Sequence, residues 1–314
     1  MNDTIEKINE LKKKRNAVIL VHNYQLPEVQ DVADFLGDSL GLSQQAAKTD
    51  AEIIVFCGVH FMAETASILC PNKVVLMPDA GAGCPMADMV NAEDLRKLKK
   101  EHTDAVVVSY VNTPAEVKAE SDICCTSANA VKIVNSLPDK KIIFVPDKYL
   151  GQYVKSQTQN QNKFGSGRAK KEIILWNGYC PVHADISSDD ILKAKKEHPA
   201  AEVLVHPECT QEVIALADKI LSTTGMCDYA KKTEAEEMII GTEIGIIYRL
   251  QKDNPDKKFY AASQKAICRN MKKNNLEKVL HSLENMEYEI RVEEKIRQKA
   301  KKSIDKMLEY SRQD

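Results

Sequence analysis

The sequence of 314 residues holds no apolar run approaching the ~18 residues that would indicate a membrane span. Its start, MNDTIEKINELKKKRN, has no signal-peptide stretch and reads as a charged amphipathic helix. No membrane association and a cytoplasmic location are therefore expected. Charge of one sign is not in excess either: Lys+Arg number 44 against Asp+Glu 46, a formal net charge of −2. No basic stripe stands out, which argues against a nucleic-acid partner. The lysine runs at 12–14, 99–100 and 272–273 fall in helix-like stretches and read as solvated faces. No segment looks like a long Gly/Ser linker, and no Cys-x-x-Cys pair is present. The nine cysteines are odd in number, scattered and without a secretory signal, so a disulfide framework is not expected.

What is present is an alternation. Nearly continuous apolar runs at 17–24 (AVILVHNY), 52–58 (EIIVFCG), 73–79 (KVVLMPD), 104–111 (DAVVVSYV), 122–127 (DICCTS), 141–147 (KIIFVPD), 172–177 (EIILWN), 202–208 (EVLVHPE) and 258–263 (KFYAAS) read as strands covered on both faces. Stretches at 61–69, 92–102, 128–136, 187–198 and 243–253 read as helices between them, and 291–310 as an amphipathic helix packed on the body. VVLMPD at 74–79 recurs as IIFVPD at 142–147, and charged or polar stretches near 85–103 and 160–171 interrupt the pattern. The pattern predicts an α/β chain of three similar lobes with parallel sheets, within usual domain sizes. The boundaries expected are 1–90, 91–170 and 171–263, with 264–314 completing the first lobe.

In open α/β units ligands gather beyond the carboxyl ends of the strands, and the unusual polar residues lie at those ends. Cys84 (GAGCPM) and Cys180 (NGYCPVH) each sit in a strand exit followed by proline, and Cys268 (AICRNM) just after a strand. Flexible backbone around a thiol suits a metal ligand. Spacing alone nevertheless favours three ordinary loop cysteines, since intervals of 96 and 88 residues match no local cluster motif. Cys57, Cys70, Cys124, Cys125 and Cys227 read as structural; Cys209, beside Glu208, is ambiguous. Three polar turns, 37–43 (GDSLGLS), 126–130 (TSANA) and 222–226 (STTGM), each precede a helix and place Ser39, Ser127, Ser222 and Thr223 where anions bind. One such turn is usually only a cap; three point to a substrate with several negative groups. His22, His183 and His206 stand at strand exits with Tyr24, Tyr110 and Glu208, the makings of an acid/base cavity. His60, His102, His198 and His281 read as structural or surface residues.

Taken together, VHNYQ at 21–25, GDSL at 37–40, FCGVHFMAETA at 56–66, PDAGAGCPMADM at 78–89, YVNTPAEVKA at 110–119, NGYCPVH at 177–183, HPEC at 206–209, STTGM at 222–226, GTEIG at 241–245 and CRNM at 268–271 resemble the quinolinate synthase family, in order and over essentially the whole chain. The resemblance implies three αβα-sandwich lobes with pseudo-threefold symmetry around a central cavity. It implies a [4Fe–4S] cluster on Cys84, Cys180 and Cys268, with one iron left open as a Lewis acid. The implied reaction condenses iminoaspartate with dihydroxyacetone phosphate to quinolinate for NAD biosynthesis, releasing phosphate and two waters without electron transfer; functional coupling to L-aspartate oxidase would go with it. Carried over by position, His22, Ser39, Ser127, His206, Ser222 and Thr223 resemble the residues that grip carboxylates and phosphate. Tyr24 and Glu208 resemble the proton-transfer pair, Tyr110 and Asn112 residues near the open iron, and His183 a further cavity residue. One departure is visible: some members carry Cys-x-x-Cys-x-x-Cys at the last ligand, where this chain reads CRNMKKN. Two other readings compete, a plain α/β phospho-sugar or amino-acid enzyme with structural cysteines, and a non-catalytic cluster-based sensor.

Overall fold

The computed structural model describes residues 2–163 and 171–310, so part of the polar stretch at 160–171 lies outside the described residues. Within them the chain forms three four-stranded sheets, each flanked by helices. The first holds β1 (Ala17–His22), β2 (Phe35–Gly37), β3 (Ile53–Cys57) and β4 (Val74–Leu76); the second β5 (Val106–Tyr110), β6 (Ile123–Cys125), β7 (Lys141–Val145) and β8 (Glu172–Leu175); the third β9 (Glu202–Val205), β10 (Lys219–Ile220), β11 (Glu237–Gly241) and β12 (Lys258–Ala261). Their spatial orders are β2-β1-β3-β4, β6-β5-β7-β8 and β10-β9-β11-β12, all parallel, so one topology is used three times. The α/β fold of three αβα lobes expected from the sequence is the fold observed.

The alternation of strand side chains divides the core. Ile19 and Val21 of β1 face a cluster private to the first lobe, while Val18 and Leu20 face a cluster common to all three lobes. Val107 and Ile143 against Val108 and Phe144 repeat this split in the second lobe, and Val203 and Ile239 against Leu204 and Ile240 in the third. The shared cluster is what joins the lobes into one body. Truncating a wholly buried member such as Leu20 or Ile54 to alanine would cost about 2–5 kcal/mol.

A carboxylate fixes the edge strand of every lobe. Asp34, Asp122 and Asp218 each accept, through Oδ2, the backbone N–H of the residue fifteen positions earlier: Ile19 (2.8 Å), Val107 (2.9 Å) and Val203 (2.8 Å). Their own N–H groups donate back to the same residues' carbonyls. The short strands β2, β6 and β10 begin immediately afterwards, so the clamp sets their register.

After β12 the chain divides its packing between two lobes. Helix Leu276–Asn285 lies against the N-terminal helix Asn2–Lys14 and β3 in the first lobe, and Glu289 bridges antiparallel to Leu76 of β4. Helix Glu294–Leu308 then covers helix Ala115–Ala119 and β6 of the second lobe, with Ser303 Oγ donating to the Lys118 carbonyl at 2.8 Å. Among the described residues no helix is long and apolar enough to cross a membrane.

Candidate active site

A cavity of about 860 Å³ opens where the carboxyl ends of the three sheets meet. Strand pairing fixes which residues correspond between lobes. His22 lies opposite Gly37, and Tyr110 opposite Cys125; Val205 lies opposite Ile220, which sets His206 against Leu221. Counting onward, His22, Tyr110 and His206 are equivalent; so are Tyr24, Asn112 and Glu208; so are Ser39, Ser127 and Thr223. Each lobe adds one cysteine after its fourth strand: Cys84, Cys180 and Cys268. All twelve line the cavity, as does His183. Ser222 does not appear in the lining: it caps helix Thr223–Lys232 by accepting the Gly225 N–H at 3.2 Å and donates to Asp38 Oδ2 at 3.3 Å. His60, His102, His198 and His281 are not among the lining residues, although His60 lies between two that are, Val59 and Phe61.

The cysteines separate cleanly. Cys84, Cys180 and Cys268 are half-buried, while the other six, Cys209 included, are buried. Cys209 belongs to the third lobe's apolar cluster, its Sγ 3.4 Å from the Gly241 carbonyl. Each cavity cysteine opens one helical turn, because its carbonyl accepts the N–H four residues on: Asp88 (3.2 Å), Ala184 (2.9 Å) and Lys272 (3.2 Å). Backbone N–H groups at the start of these turns point at the sulfurs: Ala87 and Met86 at Cys84, His183 at Cys180, Met271 and Asn270 at Cys268. Such amides favour a thiolate. Burial works the other way and pushes the Cys84 thiol up to about 12, with Cys268 adding repulsion; burial raises Cys180 and Cys268 as well. The three sulfurs line one cavity, and thiolates there would repel unless a cation lay among them. The donor set of three soft sulfurs, each cradled by amides, fits a soft metal centre.

Beside the cysteines a chain of close polar contacts, here called the relay, runs through all three lobes. The Tyr24 hydroxyl lies 2.5 Å from Thr242 Oγ1 and 3.4 Å from His183 Nε2, and Thr242 Oγ1 is 2.8 Å from the same nitrogen. His183 Nδ1 is 2.9 Å from Glu208 Oε2, an approach off the ideal hydrogen-bond angle. Glu208 Oε1 accepts the Tyr110 O–H at 2.5 Å. The Cys180 thiol, a His183 nitrogen and a Glu208 oxygen lie within 4.8 Å of one another, so the relay abuts the Cys180 sulfur.

Electrostatics gives these groups distinct states. Burial would raise the Glu208 carboxyl, yet the His183 imidazole beside it and the Tyr110 hydroxyl outweigh it, leaving Glu208 ionised at neutral pH. Burial, then the Glu208 charge, raise the Tyr24 and Tyr110 phenols, which keep their protons. Burial lowers His22 to about 4 and His206 to about 3, so both are neutral at neutral pH. Their tautomers follow from the backbone: His22 Nδ1 accepts the Tyr24 N–H at 3.2 Å, and His206 Nδ1 the Glu208 N–H at 3.3 Å. The proton in each ring is therefore on Nε2. In His206 that nitrogen lies 3.2 Å from Ser127 Oγ.

The sequence pattern assigns Thr242 and Glu243 no role, since β11 (EMIIG) is not among the expected strands; the GTE that follows this apolar run is the available signal. Asp38, Asp185, Gln264, Lys265 and Arg269 also line the cavity and were not anticipated.

The family model described as quinolinate synthetase A protein matches residues 6–309. Curated relatives named quinolinate synthase include that of Dehalococcoides mccartyi, 58% identical over 302 residues, 96% of each chain. The Methanosarcina barkeri protein is 56% identical over 306 residues, 98% of this chain and 97% of its own. That of Geobacter metallireducens is 53% identical over 311 residues, 99% of each.

Proposed function

The chain belongs to the quinolinate synthase family, and on that premise we propose that it condenses iminoaspartate with dihydroxyacetone phosphate to quinolinate, in de novo NAD biosynthesis, using a [4Fe–4S] cluster held by Cys84, Cys180 and Cys268. The observation that carries this reading is the meeting of three equivalent sets in one cavity, each with a cysteine, a hydroxyl before a helix and polar groups at a strand exit. The reaction balances as a loss of one phosphate and two waters. No electrons enter or leave, so the activity is that of a transferase or lyase type. When bound, the cluster supplies a Lewis acid, at the iron without a cysteine ligand, for the departure of hydroxyl as water.

The chain's own groups do the rest. Ser39 and Thr223 stand in the first turns of ten-residue helices, where backbone N–H groups and the helix dipole favour phosphate or carboxylate. Ser127 and the Nε2–H groups of His22 and His206 add neutral donors, which hold anions without fixing a positive charge. Asn112 Oδ1 is buried without a partner and awaits a donor, such as the amine or a hydroxyl of the substrate. Glu208, ionised and next to Tyr110 and His183, would take a carbon-bound proton. Tyr24 holds a proton at the far end of the relay, and His183 links the two. In this reading iminoaspartate comes from an L-aspartate oxidase and the enzyme works in the cytoplasm.

The test is an anaerobic incubation of iron-loaded protein with both substrates. Quinolinate and inorganic phosphate should appear in equal amounts, and neither should form when one substrate is omitted. An iron-loaded protein that yields no quinolinate would overturn the proposal.

A further inference from the structure

Two of the three cavity cysteines are held in a way that the third is not. The Cys180 N–H donates to Asp147 Oδ2 at 3.2 Å, and the Cys268 N–H to Glu243 Oε1 at 3.1 Å. The carboxylates occupy equivalent places, each the second residue after its lobe's third strand, β7 or β11. The next residue's N–H, from Lys148 or Ile244, donates to the carbonyl two positions before the cysteine, Gly178 (2.8 Å) or Ala266 (3.0 Å). The first lobe has the same frame, His60 N–H to Ala82 carbonyl at 2.8 Å, but there the position is Val59, which offers no acceptor.

Both carboxylates are wholly buried. Taking an ionisable group out of water is costly, and Val59 shows that the fold does not need one here. The groups are also fully engaged. Asp147 Oδ1 accepts the Leu150 N–H at 2.8 Å. Glu243 Oε2 accepts the Gly245 N–H at 2.8 Å, and its Oε1 lies 2.9 Å from Lys272 Nζ. That ammonium also bonds the Tyr24 carbonyl, so the loop carrying Cys268 is tied to the residue that begins the relay. A Cβ on Gly245 would lie 2.5 Å from Lys272 Nζ and 2.8 Å from both Glu243 Oε2 and the Tyr24 carbonyl, so no side chain fits there.

We propose that Asp147 and Glu243 are positioning residues that hold Cys180 and Cys268 in ligating geometry, each by accepting the cysteine's backbone N–H. The inference rests on the three-cysteine cluster reading and extends it. Holding the amide fixes the cysteine backbone and hence where its sulfur points, so losing the acceptor loosens two of the three ligands and leaves Cys84 untouched.

The test compares anaerobically purified wild type with Asp147→Ala, Glu243→Ala, Asp147→Asn and Glu243→Gln. The readouts are iron content, the rate at which visible colour bleaches in air, and the electron paramagnetic resonance spectrum of the reduced protein. The alanine variants should bleach about fivefold faster, the weight of one net hydrogen bond, with an altered spectrum. The amide variants keep one acceptor oxygen where the carboxylate offers two, so one backbone N–H is left facing an NH2, and they should bleach no more slowly than wild type and no faster than alanine. Alanine variants that behave as wild type overturn the inference. Where an alanine variant does not fold, its amide counterpart decides: faster bleaching with an altered spectrum upholds the inference, and wild-type bleaching with a wild-type spectrum overturns it. A wild type that takes up no iron removes the premise; a loaded wild type with indifferent variants removes this inference alone.

Discussion

The Tyr110 hydroxyl donates to Glu208 Oε1 at 2.5 Å although 98 positions and a lobe boundary separate the two residues. Both are buried, the carboxylate is ionised and the phenol keeps its proton. A hydrogen bond to a charged group contributes about 1.5–3 kcal/mol, so this contact steadies the lobe junction and helps to keep Glu208 ionised. In Tyr110→Phe, Glu208 loses this donor while the ring volume is kept. Turnover should fall about 10²–10⁴-fold, the usual weight of a proton-transfer group, with iron content unchanged. Equal turnover at equal iron would remove Tyr110 from the relay.

Thr242 is the hinge of that relay on its other side, touching both the Tyr24 hydroxyl and His183 Nε2. Thr242→Val keeps the shape and removes the hydroxyl. It should lower stability by about 1–3 kcal/mol, because two buried polar groups lose a partner. It should also shift the pH profile of turnover, since His183 loses the bond that orients its ring. A variant with the wild-type profile would mean that Thr242 only packs.

The buried imidazoles make stability depend on pH in a definite direction. His22 and His206 bind protons more weakly folded than unfolded, where the ordinary value is near 6.5. Their contribution is therefore fully present above about pH 6.5. It is lost as pH falls toward about 4 for His22 and about 3 for His206. The loss is at most about 3 kcal/mol for His22 and about 5 kcal/mol for His206. Thermal melting of the cluster-free chain between pH 7 and 4 should show a falling Tm, and His22→Gln should flatten the slope. A flat wild-type curve would contradict the burial argument.

The strand clamps should behave alike because they are built alike. Asp34→Ala, Asp122→Ala and Asp218→Ala each strip a carboxylate from a backbone N–H and should each cost about 1–2 kcal/mol. Denaturant unfolding of the three variants checks this; a clamp whose loss costs nothing would show that neighbouring packing alone holds its edge strand.

Five of the six central strands, β1, β3, β5, β7 and β9, are legible as near-continuous apolar runs buried on both faces, whereas β11 (EMIIG), buried alike, is not among the strands read from the sequence. The read strands nevertheless overran their ends: 17–24 closes at His22 and 202–208 at Val205. The extra residues, Asn23 and Tyr24 or His206, Pro207 and Glu208, leave the ladder to line the cavity or support it. The edge strands β2 and β10, of three and two residues, carry too few side chains to register as periodic. Their signal was the aspartate before each, repeated as Asp34, Asp122 and Asp218, and it was read as neither clamp nor repeat. The cavity residues were found as hydroxyls before helices and polar groups at strand exits, which is where the topology places ligands. Ser222 comes in by the same rule, although it caps its helix as its equivalent Asp38 does, one residue before the hydroxyl place held by Ser39, Ser127 and Thr223. Thr242, Asp147 and Glu243 stayed hidden because their roles depend on partners more than 20 residues away in the chain.

The most direct test of the account is the visible spectrum with iron and sulfide content of anaerobically purified protein, measured for wild type and for Cys84→Ala, Cys180→Ala and Cys268→Ala. The account predicts a brown wild type with about four irons per chain, as a [4Fe–4S] cluster requires, bleached by air and lost in each single variant. A colourless, iron-free wild type that is stable in air, or a cluster that survives the loss of any one of these cysteines, would contradict it.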